Sequence, residues 1–449
     1  MKFGLESEKF LFDLKHNKPS EGALRYLEAL SDLTPHTHSS GCITNEFVLN
    51  MVEVVTAPSS SPLEVIKDYL QSFESIKLIT QREHVALVGL GSLPIKYQPH
   101  MIPKLKYFVQ NSILDQRIEP SWIMDDSSPL TPAGNCAGIH IHSEIQTPVE
   151  NLYSTRELQD KFNMGLMLTP MVAFSSSPFF FGQHEASSMR SHRYFNGVYR
   201  SFPLNGGLPP VMNSSMEVLQ FTNMASQSWL SKGLSLGLPE SELYQSVSEK
   251  GANWNPIRWN KAWNTIELRC LDSDRIDFDC AKFIWVTAAM KRLDTKGEGL
   301  ICDPMEDKSL DHELIEKCFS VSDGKVLILN TIAIKELFQR ATLVGIQDPF
   351  VSHYLERIAE FSKSHVVSEG KLFFELLADV LKNKNTTSEN VLNVFGRHKS
   401  IGEEEAIKII RMAIANDEKQ FRELTQLKSL SFATIQNKDL FEPKDLQYP

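Results

Sequence analysis

The sequence predicts an α+β protein. Several short segments in the first 292 residues alternate apolar and polar side chains, which is the period-two pattern of strands. After about residue 300 the apolar residues recur at helical spacing, between breaks of Asp, Gly and Asn. A hydrophobic fraction of 42% and a charged fraction of 23% are typical of a globular chain. We therefore expect a sheet-containing domain over 1–300 and a helical C-terminal region over 301–449 packed on it.

The overall composition narrows the class of protein. The chain has 449 residues, a net charge of −10 and a pI near 5.8, which disfavours a nucleic-acid partner and a polybasic membrane surface. Its apolar segments are too short to predict a membrane span or the core of a signal peptide. The six cysteines are scattered without a Cys-x-x-Cys motif, which favours a reducing, cytoplasmic location.

The first predicted strand covers residues 1–12. Apolar residues alternate there with Glu6 and Glu8, so both carboxylates share one face of the extended chain. Phe10 and Phe12 continue that face. The alternative interpretation is an amphipathic edge strand with solvated acids.

A second strand is predicted over 45–56, where β-branched residues are frequent. Glu53 lies within its apolar run, and burying an ionised carboxylate there is costly unless a cation faces it. Glu46 is seven residues earlier, an odd spacing that puts the two acids on opposite faces of a flat strand. Glu46 must therefore precede the regular strand or follow a bulge to converge with Glu53.

A third strand, over 136–144, carries the motif Ile-His-Ile-His. His140 and His142 share one face with Glu144, while the isoleucines point to the other face. A half-exposed strand and a metal site are both compatible with this pattern alone. The second His-x-His pair, His36 and His38, lies beside proline, serine and glycine and is interpreted as loop residues.

The last predicted strand, over 264–272, sets Glu267 and Arg269 on one face. A short buried strand over 85–87 leads into a glycine-containing turn that lacks the features of a phosphate-binding loop. The predicted helices cover 19–33, 61–73, 104–112, 155–175 and 276–291, followed beyond residue 300 by 310–319, 325–343, 348–363, 370–383, 387–396 and 402–425. The later helices are also a candidate oligomer surface.

The acids of these strands form a set that needs cations. Five carboxylates and an imidazole from four strands would repel one another if they converged alone. Bound Mg²⁺ together with a polyphosphate would make the same arrangement favourable, because hard divalent cations take oxygen ligands and are shared with phosphates. The set comprises Glu6, Glu8, Glu46, Glu53, His140 and Glu267.

In order along the chain, these motifs resemble the glutamate–cysteine ligase type 2 and carboxylate–amine ligase family. That family has a glutamine-synthetase-like fold, in which an antiparallel sheet curves into an open funnel. The resemblance covers roughly residues 1–292. The matching pieces are Gly4 to Phe10, Glu46 to Pro58, Gly89 to Pro94 with Tyr97 to Pro99, Cys136 to His142, Leu168 to Gly182, Ser188 to Arg190, and Ile266 to Asp272.

The resemblance implies an ATP-dependent ligase with two or three Mg²⁺ ions. The metal ligands would be Glu6, Glu8, Glu46, Glu53, His140 and Glu267. Arg190 and Arg269 would meet phosphate or carboxylate oxygens, and structural salt bridges are the alternative role for them. His142 would contact the cofactor or orient His140 or Glu267.

The implied reaction joins a carboxylate to an amine through an acyl phosphate, with the γ-carboxylate of glutamate as the expected donor. The partners would be small amino-acid substrates. The stretch from Phe195 to Pro210 and the helical region after residue 300 do not match the family, which leaves the amine acceptor open.

Two other hypotheses belong to different classes. A zinc-dependent hydrolase would use the two His-x-His pairs as its primary ligands. A catalytically silent protein would keep the sheet and bind nucleotide without turnover.

Overall fold

The computed structural model describes residues 1–31, 41–95, 97, 99–114, 134–177, 190–191, 202–247, 253–296, 299–302, 309–395, 401–427 and 430. Its strands are β1 (Phe3–Asp13), β2 (Lys18–Pro19), β3 (Cys42–Asn45), β4 (Met51–Val55), β5 (Val85–Val88), β6 (Gly138–Glu144), β7 (Ile257–Asn260), β8 (Thr265–Asp272), β9 (Gly299–Cys302), β10 (Val321–Ser322) and β11 (Lys325–Ile328).

The α-helices in the first 300 residues are α1 (Ala23–Ser31), α2 (Pro62–Gln81), α3 (Leu105–Leu114), α4 (Glu157–Leu168), α5 (Pro203–Gly206), α6 (Ser215–Ser235), α7 (Glu240–Val247) and α8 (Ile276–Lys296). Those that follow are α9 (His312–Lys317), α10 (Thr331–Leu343), α11 (Pro349–Ser362), α12 (Lys371–Asn383), α13 (Thr387–Phe395) and α14 (Glu403–Thr425).

One large antiparallel sheet organises the molecule. Its strand order is β3-β4-β1-β6-β8-β7, and β2 and β5 also pair with β1. The sheet is not closed into a barrel, since β3 and β7 form its two ends. The prediction of an α+β fold built on an open antiparallel sheet is therefore confirmed.

Strand β1 lies at the centre of the sheet and buries both of its faces. Its odd-numbered apolar residues Phe3, Leu5 and Leu11 join the main hydrophobic core. Phe10 and Phe12, which continue the face of the two predicted acids, join a second core instead. Because successive side chains of a strand point to opposite faces, this one strand separates the two cores.

Between its apolar ends, β1 also carries buried polar residues on the face formed by its odd-numbered side chains. Lys9 Nζ lies 2.8 Å from Asp279 Oδ2 of helix α8, and both side chains are fully buried. Ser7 Oγ donates to the same carboxylate oxygen at 3.1 Å. A buried charge is tolerated when it is paired and hydrogen-bonded, so this contact fixes α8 against the sheet.

The C-terminal helices share hydrophobic cores with the sheet. The main core includes Leu337, Leu355 and Leu377, from α10, α11 and α12. The second core includes Leu392 and Ile410, from α13 and α14. The division into domains at residues 1–300 and 301–449 stays a prediction, but these contacts show the later helices packed on the elements that precede them.

The sequence predicted a helical region after residue 300, but the structure also contains strands there. Residues 325–328 form β11, which pairs parallel with β9 and antiparallel with β10. The predicted helix over 325–343 therefore begins only at Thr331, where the Asn330 side chain accepts a hydrogen bond from the Ala333 amide. Isolated apolar runs as short as Val326 to Ile328 do not distinguish a strand from a helix.

Candidate metal centre

Strand register brings the predicted acids and histidines into one row across the sheet. Glu8 of β1 lies opposite Glu53 of β4, and Glu6 lies opposite His140 of β6. His142 then lies opposite Glu267 of β8. Side chains directly opposite one another in antiparallel strands have Cβ atoms about 4.5–5.5 Å apart, so residues distant in sequence become neighbours.

Three groups of side chains offer ligand atoms that all lie within 4.8 Å of one another. The groups are Glu6 with Glu53 and His140, Glu6 with His142 and Glu267, and Glu8 with Glu46 and Glu53. Each contains at least two carboxylates and no more than one imidazole. Glu6 and Glu53 each belong to two groups, so the groups form one continuous centre that includes all six predicted ligands.

Glu46 reaches this centre because it lies outside the regular strands. It falls between the end of β3 at Asn45 and the start of β4 at Met51. The period-two alternation does not apply there, so the odd spacing between Glu46 and Glu53 is no obstacle. The sequence had required this position or a bulge.

His140 is buried among four carboxylates. Its Nδ1 lies 2.9 Å from Glu6 Oε2, 3.9 Å from Glu267 Oε1 and 4.0 Å from Glu53 Oε1. Its Nε2 lies 3.6 Å from Glu8 Oε1. Burial and the nearby positive charge of Arg269 lower the pKa of His140 to about 3. The imidazole is therefore neutral at physiological pH, which is the form that binds a metal ion.

Glu6 stays ionised although it is buried. Burial alone would raise its pKa, but the neighbouring imidazoles of His142 and His140 hold that pKa well below its ordinary value. Glu8 accepts a hydrogen bond of 2.5 Å from the Gly138 amide, which orients its carboxylate. The two acids of β1 are thus held in place by groups on β6.

Glu267 is surrounded by hydrogen-bond donors. Arg258 of β7 donates from Nε to Oε2 at 2.7 Å and from Nη2 to Oε1 at 2.9 Å. Asn260 Nδ2 donates to Oε2 at 3.0 Å, and Arg269 Nη1 donates to Oε1. Although burial opposes ionisation, the positive charges of Arg258 and Arg269 hold the pKa of Glu267 well below its ordinary value.

Sequence reasoning missed Arg258 and Asn260, because strand β7 was not predicted. Their signal was the pattern Ile-Arg-Trp-Asn just before the predicted strand over 264–272, which reads as the first half of a hairpin. In the structure Arg258 lies directly opposite Glu267.

Tyr107 of α3 is a third residue that the sequence did not predict. Its side chain is buried, and its hydroxyl has no hydrogen-bond partner among the described residues. Burial, followed by the negative charges of Glu46, Glu53 and Glu8, raises its pKa well above the ordinary value. This tyrosine therefore lies within the electrostatic field of the third acid group.

Arg190 lies against the C-terminal region. Its Nε donates to Glu389 Oε1 of α13, and its backbone amide donates to Thr342 O at 3.1 Å. Ser388 Oγ donates to the Arg190 carbonyl at 2.9 Å. These contacts correspond to the structural salt bridge that the sequence left as the alternative, and a role of Arg190 toward phosphate stays a prediction. Arg269, in contrast, has its Nη1 3.4 Å from His140 Nδ1.

The donor set fits hard divalent cations. Carboxylate oxygens dominate all three groups, and a neutral imidazole is available at His140. His36 and His38, on which the hydrolase hypothesis also depends, lie outside the described residues.

No helix in the described ranges is long and apolar enough to cross a membrane.

Comparison with solved structures identifies the fold. The chain is similar to the crystal structure of glutamate–cysteine ligase from Francisella tularensis in complex with AMP, at 12% identity and a TM-score of 0.53, over 96% of this chain and 90% of that one. It also matches a bifunctional glutathione synthetase from Pasteurella multocida, at 12% identity and a TM-score of 0.44, over 95% of this chain and 54% of that one. The first likeness defines the class as proteins with the glutamate–cysteine ligase fold.

The family follows from the sequence. Residues 2–317 match glutamate-cysteine ligase family 2, and the chain belongs to that family. The resemblance predicted from the ordered motifs is therefore confirmed. No curated protein matches the sequence.

Proposed function

We propose that the protein is an ATP- and Mg²⁺-dependent carboxylate–amine ligase that forms an amide bond through an acyl phosphate. We propose the γ-carboxylate of glutamate as the donor. The observation that carries the proposal is the continuous centre of five carboxylates and His140 on the sheet of a chain that belongs to glutamate-cysteine ligase family 2. The neighbouring crystal structure was solved with AMP, which supports an adenine nucleotide as ligand.

The proposed reaction balances in two steps. A substrate carboxylate oxygen attacks the γ-phosphorus of ATP, the bond to the bridging oxygen breaks, and ADP leaves. The amine nitrogen then attacks the acyl carbon, phosphate leaves with the former carboxylate oxygen, and the amine loses a proton. Neither step requires a covalent bond to the protein.

The residues of the centre have separate roles in this proposal. Glu6, Glu8, Glu46, Glu53, His140 and Glu267 would hold two or three Mg²⁺ ions. These ions would offset the negative charge of the phosphates. Arg269 is the guanidinium beside His140 and Glu267, and we assign it to an oxygen of the transferring group. Arg258 would hold Glu267 in position from the next strand.

The decisive experiment supplies the full chain with ATP, Mg²⁺, glutamate and a panel of amines that includes cysteine. We expect release of ADP and phosphate that depends on both glutamate and one amine, and a product whose mass equals the two substrates minus water. The absence of ADP release with every amine would contradict the proposal. Nucleotide binding without turnover would instead indicate the catalytically silent alternative.

Metal analysis of the same protein preparation distinguishes the ligase from the zinc-dependent hydrolase. Its centre would hold zinc tightly and lose it on His36→Ala substitution, whereas the proposed ligase should be isolated without tightly bound zinc. The carboxylate-rich composition of all three described groups favours the ligase, because zinc sites are built mainly from nitrogen and sulfur ligands. A cytoplasmic location, small-molecule partners and a homo-oligomeric state belong to the proposal as well.

A further inference from the structure

We propose that His142 is a direct ligand, through Nε2, of a divalent cation held between Glu6 and Glu267. The inference deepens the proposed function, since it assigns a second nitrogen ligand to the metal centre. It predicts two cation positions, each with one imidazole. The alternative is that His142 only orients His140 or Glu267.

The first observation is the environment of His142 Nε2. The side chain is buried, with 5% of the residue exposed, and Nε2 forms no hydrogen bond among the described residues. It points toward Glu6, whose Oε1 lies 3.6 Å away. A buried polar atom without a partner is costly, so its position calls for a ligand.

The second observation is that the other ring nitrogen is already held. His142 Nδ1 lies 2.9 Å from Thr265 Oγ1 on the neighbouring strand. Trp263 packs edge-on against the ring, with centroids 5.1 Å apart. Metal-bound histidines use their second nitrogen in this way, because a hydrogen bond from Nδ1–H fixes both the tautomer and the direction of the Nε2 lone pair.

The third observation is that Glu6 offers one oxygen to each histidine. Its Oε2 lies 2.9 Å from His140 Nδ1, and its Oε1 lies 3.6 Å from His142 Nε2. A carboxylate can bridge two cations through its two oxygens. Glu6 is thus placed to be shared between a position at His140 with Glu53 and a position at His142 with Glu267.

The hydrogen bonds of Glu267 limit how its carboxylate could bind a cation. Its oxygens accept four hydrogen bonds, from Arg258, Asn260 and Arg269, which is the full capacity of a carboxylate. A cation at this position must therefore replace one donor. Arg269 and Asn260 are the candidates, because each makes a single described contact with Glu267 whereas Arg258 makes two.

An imidazole at each position also predicts which cations bind. Carboxylates alone suit Mg²⁺, whereas imidazole ligands raise the affinity for transition metals. We therefore expect Mn²⁺ to bind more tightly than Mg²⁺ at both positions. Mn²⁺ is also a suitable probe, because its electron spin reports directly bonded nitrogen.

The test is Mn²⁺ binding by the full chain, followed by electron paramagnetic resonance without any turnover. In the His140→Gln variant, the bound Mn²⁺ should still show nitrogen modulation in electron spin echo spectra. Incorporation of ¹⁵N-histidine into that variant should change the modulation frequencies, which assigns the nitrogen to a histidine. The His142→Gln variant should bind one Mn²⁺ fewer, and His140→Gln with His142→Gln should show no histidine nitrogen.

Two further variants separate a ligand from a support. Thr265→Val should weaken Mn²⁺ binding by roughly 10- to 100-fold but keep the His142 nitrogen signal. His100→Gln removes an exposed histidine that pairs with Glu21 on the surface, and it should bind Mn²⁺ like the wild type. Thermal unfolding of each variant confirms that it is folded.

The inference would be overturned if the His140→Gln variant showed no histidine nitrogen, if His142→Gln left the number and affinity of bound Mn²⁺ unchanged, or if the wild type bound no Mn²⁺. An active ligase with any of these results would keep the proposed function and remove this assignment. Mn²⁺ bound by both histidines in a protein without ligase activity would support the assignment and contradict the proposed function.

Discussion

Arg258 and Glu267 form a bidentate ion pair across two neighbouring strands of the sheet, with N–O distances of 2.7 and 2.9 Å. Both side chains are buried. A two-point contact fixes the plane of the carboxylate as well as its position, which a single hydrogen bond does not. The acid at the end of the metal centre is therefore oriented before any substrate binds.

Replacing this arginine tests the ion pair. Arg258→Met should lower the free energy of unfolding by about 3 kcal/mol, because it removes the principal partner of a buried charge. The matched control is Arg422→Met, which removes an exposed pair with Glu418 on one helix and should cost less than about 1 kcal/mol. Chemical denaturation of both variants measures the difference. Equal losses would show that the buried pair does not hold this edge of the sheet.

Glu53 belongs to two of the three groups of the metal centre. Glu53→Gln keeps the size of the side chain but removes the charge, so it should weaken divalent-cation binding by at least about 10-fold and abolish ligase turnover while the protein stays folded. Glu64→Gln, at an exposed acid paired with Lys67, is the control and should leave both unchanged. Calorimetric cation titration and ADP release measure the two effects. A Glu53→Gln enzyme with normal turnover would remove this residue from the site.

The buried pair of Arg190 and Glu389 connects the sheet-containing part to α13. We expect Arg190→Gln and Glu389→Gln each to destabilise the protein, and the double variant to be more stable than the sum of the two losses predicts. The coupling free energy of such a contact should be about 0.5–3 kcal/mol. Urea unfolding of the four proteins measures it. If Arg190 also acts on phosphate, its substitution will reduce kcat in excess of what Glu389→Gln does, and equal kcat values would assign it a structural role only.

Asp417 of α14 gives a pH-dependent prediction. Its Oδ1 accepts a hydrogen bond from the Ile276 amide at the start of α8. Burial raises its pKa from an ordinary 3.8 to about 7, with Lys9 opposing the rise and Asp279 adding to it. Between pH 4 and 7 the folded state therefore binds more protons than the unfolded state, and this group contributes less to stability as the pH rises.

The variant Asp417→Asn keeps the acceptor oxygen and removes the titration. Its melting temperature relative to the wild type should be higher at pH 8 than at pH 5, since the wild-type carboxylate is ionised and buried only at the higher pH. Thermal unfolding at the two pH values measures this shift. A difference that is the same at both would contradict the raised pKa.

Strands β1, β4, β6 and β8 were predictable because their polar ligand residues alternate with apolar residues. Glu6, Glu8, Glu53, His140 and Glu267 all lie on elements that local patterns identified. Register could not be predicted in the same way, because cross-strand neighbours such as Glu8 and Glu53 depend on contacts between distant segments. The family resemblance supplied that long-range information, since it implied convergence of the acids.

The elements and contacts that the sequence did not predict also have physical explanations. Strands β7, β9, β10 and β11 contain two to four residues each, too few to establish a period. The helices α6 and α7 were not predicted. The partner of Arg190 lies almost 200 residues away in α13, and no local pattern in the sequence could indicate such a contact.

Strand β1 carries charge on both faces, with Glu6 and Glu8 toward the metal centre and Lys9 toward Asp279. A slip of one residue against its neighbours would exchange the faces. The ammonium group would then enter the cation-binding centre, and a glutamate would be forced against a buried aspartate. Both errors are electrostatically costly, so charge as well as hydrophobic pattern selects the alignment of this strand. The charges of this strand therefore disfavour a register that is shifted by one residue.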